Sequence, residues 1–510
     1  MRRGGDRTAG VRAAAGPGEL SEPLSGRAWD RAAVEHQRRA RADVYAAAGI
    51  ARGDLVFLHH GNSLEFFGDL LALWTLGAVA APIDPRLTAF EIETLTRAIR
   101  PRVTLWPSAP PPGVTAALDR VGAAVLTSPG GDALAGASGG PLPEPPRPED
   151  DALVLLTSGT TGSPKAVVHT HGSLGARWAA LRMHVDPDDL RRTLCLLPTH
   201  FGHGLICNAL YPWLSGQRLA VLPPFRTEVV LQLGALVDEH AITFLSSVPA
   251  LWRLALRATR APRARTLRRV FCGSAPLSAA MWRDIGEWTG GAAVSNVYGL
   301  TETASWLAGS APGTTPEDGL IGHPWDAAIR VGASPTEAAA GGRRDAMGLV
   351  WVRTPALMRG YLGRDDLTAD AVRDGWFRTG DVGYLDATGR LHLRGRERDE
   401  INRGGLKVYP GDVDAVVQQF DGVLDSCAFG YDTGPGEEEL AVAVVLSATD
   451  PATLSRLHAW VCERLAAYQL PRRWFLVDEI PQTANGKVNR PQVAARCAGL
   501  RPVDLRHPAG

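Results

Sequence analysis

The chain is predicted to have an α/β fold. A large N-terminal domain of doubly wound sheets with a small β region precedes a small α+β domain at the C-terminus. Three observations predict it. Short apolar runs alternate with helical patterns from Asp30 to Ile99, and the same alternation returns between Thr193 and Cys272. That β–α–β–α order suits a parallel sheet covered by helices on both faces. The third observation is a change of pattern after Arg394, where about a hundred residues supply helices and strands of their own, enough for a separate small domain.

Taken in order, residues 1–27 are rich in Gly, Ala, Arg and Pro and are expected to form a disordered extension. The N-terminal domain then spans 28–394. It opens with a helix over Asp30–Ala48, a strand over Asp54–His59, a helix capped by Ser63, a strand over Val79–Ile83 and a helix over Thr88–Ile99. Residues 107–150, with several proline clusters, are expected to be a loose segment around one short strand, Ala123–Leu126. Beyond Ala152–Leu156, a buried strand, the predicted strands are Thr193–Leu197, Arg218–Leu222, Ile242–Leu245 and Val270–Cys272. Helices are expected over Leu205–Leu214, Thr227–Glu239 and Pro249–Ala258. Leu349–Val352 and Gly389–Arg394 suggest antiparallel β structure. Residues 395–398 are the expected hinge, 399–500 the C-terminal domain and 501–510 a tail.

Composition narrows the function. With 510 residues, roughly three domains of about 150 or one large multilayered unit are possible. There are 54 acidic and 54 basic residues, so nothing points to a nucleic-acid or membrane-surface partner. The longest apolar run, Leu70–Ile83, is too short to span a bilayer, and Met1–Arg7 lacks the apolar core of a secretory signal. Cys195, Cys207, Cys272, Cys427, Cys462 and Cys497 form no CxxC pair and read as reduced thiols in a cytoplasmic protein. Only three of the 54 basic residues are lysines: Lys165, Lys407 and Lys487. Where a compact ammonium is needed, arginine's planar fork replaces it poorly, so each lysine merits attention.

Lys165 closes the stretch Thr157-Ser158-Gly159-Thr160-Thr161-Gly162-Ser-Pro-Lys165. Glycines let backbone N–H groups approach an anion, hydroxyls donate to phosphate oxygens and the lysine adds a positive charge. The spacing is not that of a Walker A loop. A plain Ser/Thr/Gly-rich turn is the alternative reading of this stretch alone.

Four further segments occur in order: Asn296-Val-Tyr298-Gly299-Leu-Thr301-Glu302-Thr303, Gly375-Trp-Phe-Arg-Thr-Gly-Asp381, Gly395-Arg396-Glu-Arg398 with Arg403-Gly404-Gly405-Leu-Lys407, and Pro481-Gln-Thr-Ala-Asn-Gly-Lys487. Together with the first they closely resemble the adenylate-forming (AMP-dependent synthetase/ligase) superfamily, most like acyl-CoA synthetases, over about residues 28–500. The resemblance implies that a carboxylate attacks the α-phosphate of ATP, releasing pyrophosphate, and that a thiol then displaces AMP from the acyl-adenylate. CoA is the expected acceptor. A phosphopantetheine carrier acting in trans, or an amine, is the alternative.

The roles that follow are those the resemblance implies. Lys487, on a mobile C-terminal domain, bridges the substrate carboxylate and the phosphate. Thr157 to Gly162 and Lys165 hold the β- and γ-phosphates, and Glu302 with Thr161 helps hold Mg2+. Tyr298 stacks on adenine beside Gly273, Ser274, Ala275 and Asn296, with Gly299 and Thr301 flanking. Asp381 accepts from the ribose hydroxyls and Arg396 touches the same ribose. Gly404 and Gly405 line the thiol tunnel, and Arg398 is the hinge residue. An inactive nucleotide-binding sensor would show erosion of Lys487, Asp381, Arg396, Lys165 or Glu302; all five are present.

Departures from the family pattern bear on substrate. Ala166 follows Lys165 where glycine is usual, which is tolerable if its φ is negative. Phe201 stands where related enzymes carry His. Gly202 stands where amino-acid-activating relatives place Asp and dihydroxybenzoate-type relatives Asn, which disfavours an α-amino acid and, less strongly, a salicylate-like acid. His203, Ser247, Val248, Trp252, Cys272 and Trp306 are the other expected pocket residues, suiting a small or ring-containing, partly polar acid. His169 and His171 are expected to be satisfied loop histidines, and Lys407 faces either the acceptor tunnel or solvent.

Overall fold

The computed structural model describes residues 16–130, 134, 142–157, 165–224, 226–336, 346–403, 406–434, 437–483, 487–503 and 505. Two large sheets build the N-terminal part. The seven-stranded one runs Gly360–Tyr361, Lys165–Thr170, Asp151–Thr157, Val79–Pro82, Leu55–Leu58, Val103–Trp106, Val125–Thr127. Its strands are parallel from Asp151–Thr157 to the Val125–Thr127 edge. The fourteen-stranded sheet has a parallel centre of Arg218–Val221, Arg192–Cys195, Phe244–Ser247, Arg269–Gly273 and Ala293–Leu300. From Ser305–Gly309 onward it turns antiparallel, through Leu320–Pro324, Leu391–Arg396, Trp376–Leu385 and Gly348–Arg353. The parallel strands read as near-continuous apolar runs because helices cover both faces.

Helix ends follow local chemistry. Ser63 caps Leu64–Thr75 by accepting from the Phe66 amide, and Thr88 with Glu91 forms a reciprocal capping box on Ala89–Ile99. Pro249–Ala258 begins on its proline, which needs no amide hydrogen at the first turn. Val423–Gly434, Glu437–Leu446 and Arg473–Leu476 form the C-terminal sheet around a separate apolar core.

Several expectations are corrected. Within the expected extension, Leu20–Glu22 is an ordered strand: it pairs in parallel with Arg218–Val221, and Leu20 is fully buried. The segment 107–150 contains a helix, Pro112–Arg120, and the unpredicted Val103–Trp106 precedes it as a buried strand. The predicted helix over Leu205–Leu214 begins as a π-helix, His203–Leu210, before Tyr211–Leu214. The phosphate-motif strand is followed by a strand that the sequence reading did not include: Asp151–Thr157 and Lys165–Thr170 pair antiparallel. Within the expected hinge at 395–398, Gly395 and Arg396 are paired to Val382 and Asp381 in the large sheet. The chain leaves the large sheet at the turn Glu397–Asp399. Part of the expected tail is anchored: Val503 donates to the Trp474 carbonyl at 2.7 Å and Leu505 is buried in the C-terminal core. All six cysteines are free, and only Cys462 is exposed. No helix among the described residues is long and apolar enough to cross a membrane.

Candidate active site

The site forms where the two sheets and the C-terminal domain meet. Thr157 and Lys165 are cross-strand partners at the mouth of the glycine-rich hairpin; Ser158, Gly159, Thr160, Thr161 and Gly162 lie outside the described residues, as do Gly404 and Gly405 and the side chain of Lys407. Ala166 pairs with Leu156 in the strand and has no positive φ, so the missing glycine costs no strain. The Lys165 ammonium lies 5.0 Å from the centre of the Tyr361 ring, and the Tyr361 hydroxyl donates to Glu302 Oε1 at 2.9 Å. Tyr361 went unnoticed in the sequence because its place depends on Gly360–Tyr361 pairing with Val167 and Val168, almost two hundred residues upstream.

Glu302 sits in the short turn Thr301–Thr303, which is clamped from below. His169 Nε2 is 2.7 Å from the Thr301 carbonyl, its Nδ1 is 3.0 Å from Ser173 Oγ, and buried Arg177 donates to the Thr303 and Trp325 carbonyls. His169 is thus a satisfied buried brace in a strand, not a loop histidine. Burial pushes its pKa down to about 4, so it is neutral. His171 opens the following helix and its Nε2 lacks a partner among the described residues.

Tyr298 and Asp381 come together from strands far apart in sequence. The Tyr298 hydroxyl donates to Asp381 Oδ2 at 2.5 Å, and Arg396 Nε donates to Asp381 Oδ1 at 2.9 Å. Direct cross-strand pairing of Asp381 with Arg396 sets that geometry. The Asn296 amide donates to the Leu320 carbonyl at 2.8 Å. Gly273 and Gly299 are required sterically, because a Cβ would lie 2.4 Å from the Val297 carbonyl oxygen and 1.9 Å from that of Ser305 respectively.

Lys487 reaches this centre from the C-terminal domain. A small hairpin carries it, with the Thr483 amide donating to the Lys487 carbonyl at 2.7 Å. Its ammonium lies 5.9 Å from the centre of the Phe201 ring. Burial pushes its pKa down to about 8; Arg396 and Arg398 push the same way, while Asp381 and Glu302 oppose them. A desolvated cation beside a carboxylate site is an arrangement that stabilises two converging anions.

Behind Phe201 the wall is aromatic. The Phe201 and His203 rings are 6.2 Å apart, and His203 meets Trp306 edge-on at 5.4 Å. Phe271 and Phe244 close the floor, 4.9 and 6.2 Å from Trp306. Both His203 nitrogens are engaged, Nδ1 with Ser274 Oγ at 2.7 Å and Nε2 with Ser246 Oγ at 2.6 Å. Ser274 adopts a left-handed φ of 67° to make its bond. Burial and the Lys487 charge push the His203 pKa down to about 3. The Trp306 Nε1–H is buried without an acceptor among the described residues.

The expected pocket list divides here. Phe201, His203 and Trp306 share this wall. Ser247, Val248, Trp252 and Cys272 do not join it. Successive strand residues point to opposite faces, so Phe244 and Ser246 face the wall while Leu245 and Ser247 face the helices behind. Ser247 Oγ accepts from Trp252 Nε1 at 2.7 Å and donates to the Phe271 carbonyl at 2.7 Å. Val248, Trp252 and Cys272 pack in that helical layer. Ser246, Phe244 and Phe271 stand on this wall in their place, an arrangement that the period-2 alternation could have signalled. Beside Gly202 a Cβ would meet Leu155 and Thr301 only at 3.4 Å or more, so packing does not force glycine there.

Residues 12–362 match the family of AMP-binding enzymes, and residues 412–487 match the AMP-binding enzyme C-terminal domain. A probable CoA ligase from Humulus lupulus is 31% identical over 89% of this chain and 88% of its own. A long-chain-fatty-acid–CoA ligase from Mycobacterium tuberculosis is 30% identical over 88% and 89%. Among solved structures, ATP-bound MatB from Rhodopseudomonas palustris superposes with a TM-score of 0.84 at 26% identity, covering 95% of this chain and 96% of MatB. The apo form of that protein superposes less well, with a TM-score of 0.72 over 94% and 95% of the two chains.

Proposed function

The chain belongs to the AMP-binding enzyme family and is an AMP-forming acid–CoA ligase; from that premise we propose that its acid is short, with a polar acceptor at the end distal to the reacting carboxylate. The observation that carries this reading is the closeness of Lys487 to the aromatic wall. The lysine that meets the carboxylate lies one ring away from His203, and Trp306 closes the space behind, backed by Phe271 and Phe244. A floor of packed aromatic rings suits a short acid better than a long alkyl chain. The unpartnered Trp306 N–H favours an acid that brings an oxygen to it, because a buried donor left unmade costs about 1–3 kcal/mol.

In the first half-reaction Lys487 offsets the repulsion between the carboxylate and the ATP α-phosphate, and pyrophosphate departs. Tyr298 presents a ring to adenine while its hydroxyl steadies Asp381; Asp381, acceptor-only when ionised, takes the ribose hydroxyls. Lys165 and the hairpin it closes hold the outgoing phosphates. Glu302 would hold Mg2+: no trio of potential ligands occurs among the described residues, and one carboxylate with phosphate oxygens and water is a donor set that suits this ion. When bound, Mg2+ neutralises phosphate charge. In the second half-reaction the CoA thiol attacks the acyl carbon and AMP leaves.

Pyrophosphate release with ATP across a panel of acids tests the reading. Propionate, succinate, benzoate and hydroxybenzoates against octanoate and palmitate would suffice. Turnover concentrated in the short, distally polar acids is expected; activation of the long-chain acids alone would overturn it.

A further inference from the structure

The C-terminal domain touches the large one through a contact that no catalytic role explains. Arg257, at the end of the helix Pro249–Ala258, donates from Nη1 to the Leu424 carbonyl and from Nη2 to the Val423 carbonyl, both at 3.1 Å. One turn earlier, Arg253 Nε lies 3.8 Å from Asp425 Oδ1. Val423, Leu424 and Asp425 begin the long strand of the C-terminal sheet. Two arginines on one helix face therefore grip three consecutive residues of the lid, more than 160 positions away in sequence.

We propose that Arg253 and Arg257 are positioning residues for acid adenylation: they latch the C-terminal domain in the orientation that seats Lys487 beside Phe201, and they release it for the thiol step. The inference rests on the two-step reaction and not on which acid is used. Three observations support it. Lys487 meets Arg396, Asp381 and Glu302 only with the lid in this orientation, because all three belong to the large-domain side of the Glu397–Asp399 turn. The overall arrangement matches the ATP-bound form of MatB more closely than its apo form. The contact is also built to be reversible. Arg257 bonds to main-chain carbonyls at a partly exposed edge and the Arg253–Asp425 separation is long for an ion pair, so neither resembles the buried, fully packed interface of a permanent union.

The thiol step needs the opposite. CoA is large and polar, and its sulfur must reach the same acyl carbon that Lys487 covers from the lid side. A latch that stabilises one orientation therefore promotes the first half-reaction and opposes the second.

The test separates the two. Arg257→Ala and the double variant Arg253→Ala/Arg257→Ala are assayed for ATP–pyrophosphate exchange with the acid of highest turnover in the panel, and for thioester formation from the corresponding synthetic acyl-adenylate plus CoA. Exchange is expected to fall about ten- to a hundredfold, the equivalent of one or two lost charge-assisted hydrogen bonds. Thioester formation from preformed adenylate should be unchanged or faster. In a Lys487→Ala background the latch substitutions should have no further effect on exchange, since they act through that lysine. Hydrogen exchange, which needs no acid, should quicken at the amides of 424–426 and 487–489. Parallel loss of both half-reactions, or no loss of either with unchanged hydrogen exchange, would overturn the proposal.

Discussion

Ser246 and Ser247 are adjacent, equally buried, and opposite in consequence. Replacing Ser246 by Ala removes the hydroxyl 2.6 Å from His203 Nε2, leaving one nitrogen of a neutral, buried imidazole without a partner. That costs about 1–3 kcal/mol. His203 stands between Phe201, which Lys487 overlies, and Trp306, so loosening it disturbs the wall against which the acid is held. If the whole cost fell on the transition state, kcat/KM for the acid would drop by about 5- to 150-fold. Ser247→Ala removes two hydrogen bonds, from Trp252 Nε1 and to the Phe271 carbonyl, so its thermodynamic cost is of the same order. Those bonds lie in the helical layer. Its cost should appear as a lower thermal midpoint, with acid kcat/KM unchanged within about twofold. Pyrophosphate release against acid concentration, paired with thermal unfolding of both variants, makes the comparison. A Ser247 variant with altered acid kcat/KM beside a silent Ser246 variant would refute the assignment of faces.

Four further outcomes are expected. Lys487→Ala should slow adenylation about 10²–10³-fold, as loss of one transition-state donor does, in a pyrophosphate-exchange assay. In the parent enzyme, Lys487 is charged below and neutral above a pKa lowered to about 8. Exchange kcat/KM should therefore decline as pH rises through about 8, and a profile flat to pH 10 would contradict the role. Asp381→Asn should raise the KM for ATP about tenfold; because Arg396 is more than a third exposed and screened, the stability loss should stay near about 1 kcal/mol by denaturant titration. Gly299→Ala, whose Cβ would meet the Ser305 carbonyl oxygen at 1.9 Å, should lower the thermal midpoint by several degrees or abolish soluble expression.

Much of the fold was legible because local chemistry decides it. The Ser63 and Thr88 caps, the proline opening Pro249–Ala258 and the apolar parallel strands all carry their signals within a few residues. The elements that escaped were those whose partners are distant. Val103–Trp106 and Lys165–Thr170 are strands only because a neighbouring strand accepts their hydrogen bonds. Leu20–Glu22 lies in a stretch of loose composition and is ordered by the edge of a sheet formed two hundred residues later. Val503 is held in the same way, by the Trp474 backbone.

For the site, residue types and their order along the chain determined the family and the reaction, and they singled out Lys487, Asp381, Arg396, Glu302 and Lys165 as the candidates to carry it. Those side chains are selected for chemistry that phosphate, ribose and carboxylate impose wherever they bind, so the sequence alone carries them. Tertiary structure decided which side chains share the aromatic wall beside Lys487. A strand shows alternate residues to opposite layers, and which layer holds the pocket depends on sheet register and on what packs behind. Hence Ser246 rather than Ser247 meets His203, Trp252 belongs to the core, Tyr361 joins Glu302, and Lys487 completes the site from another domain.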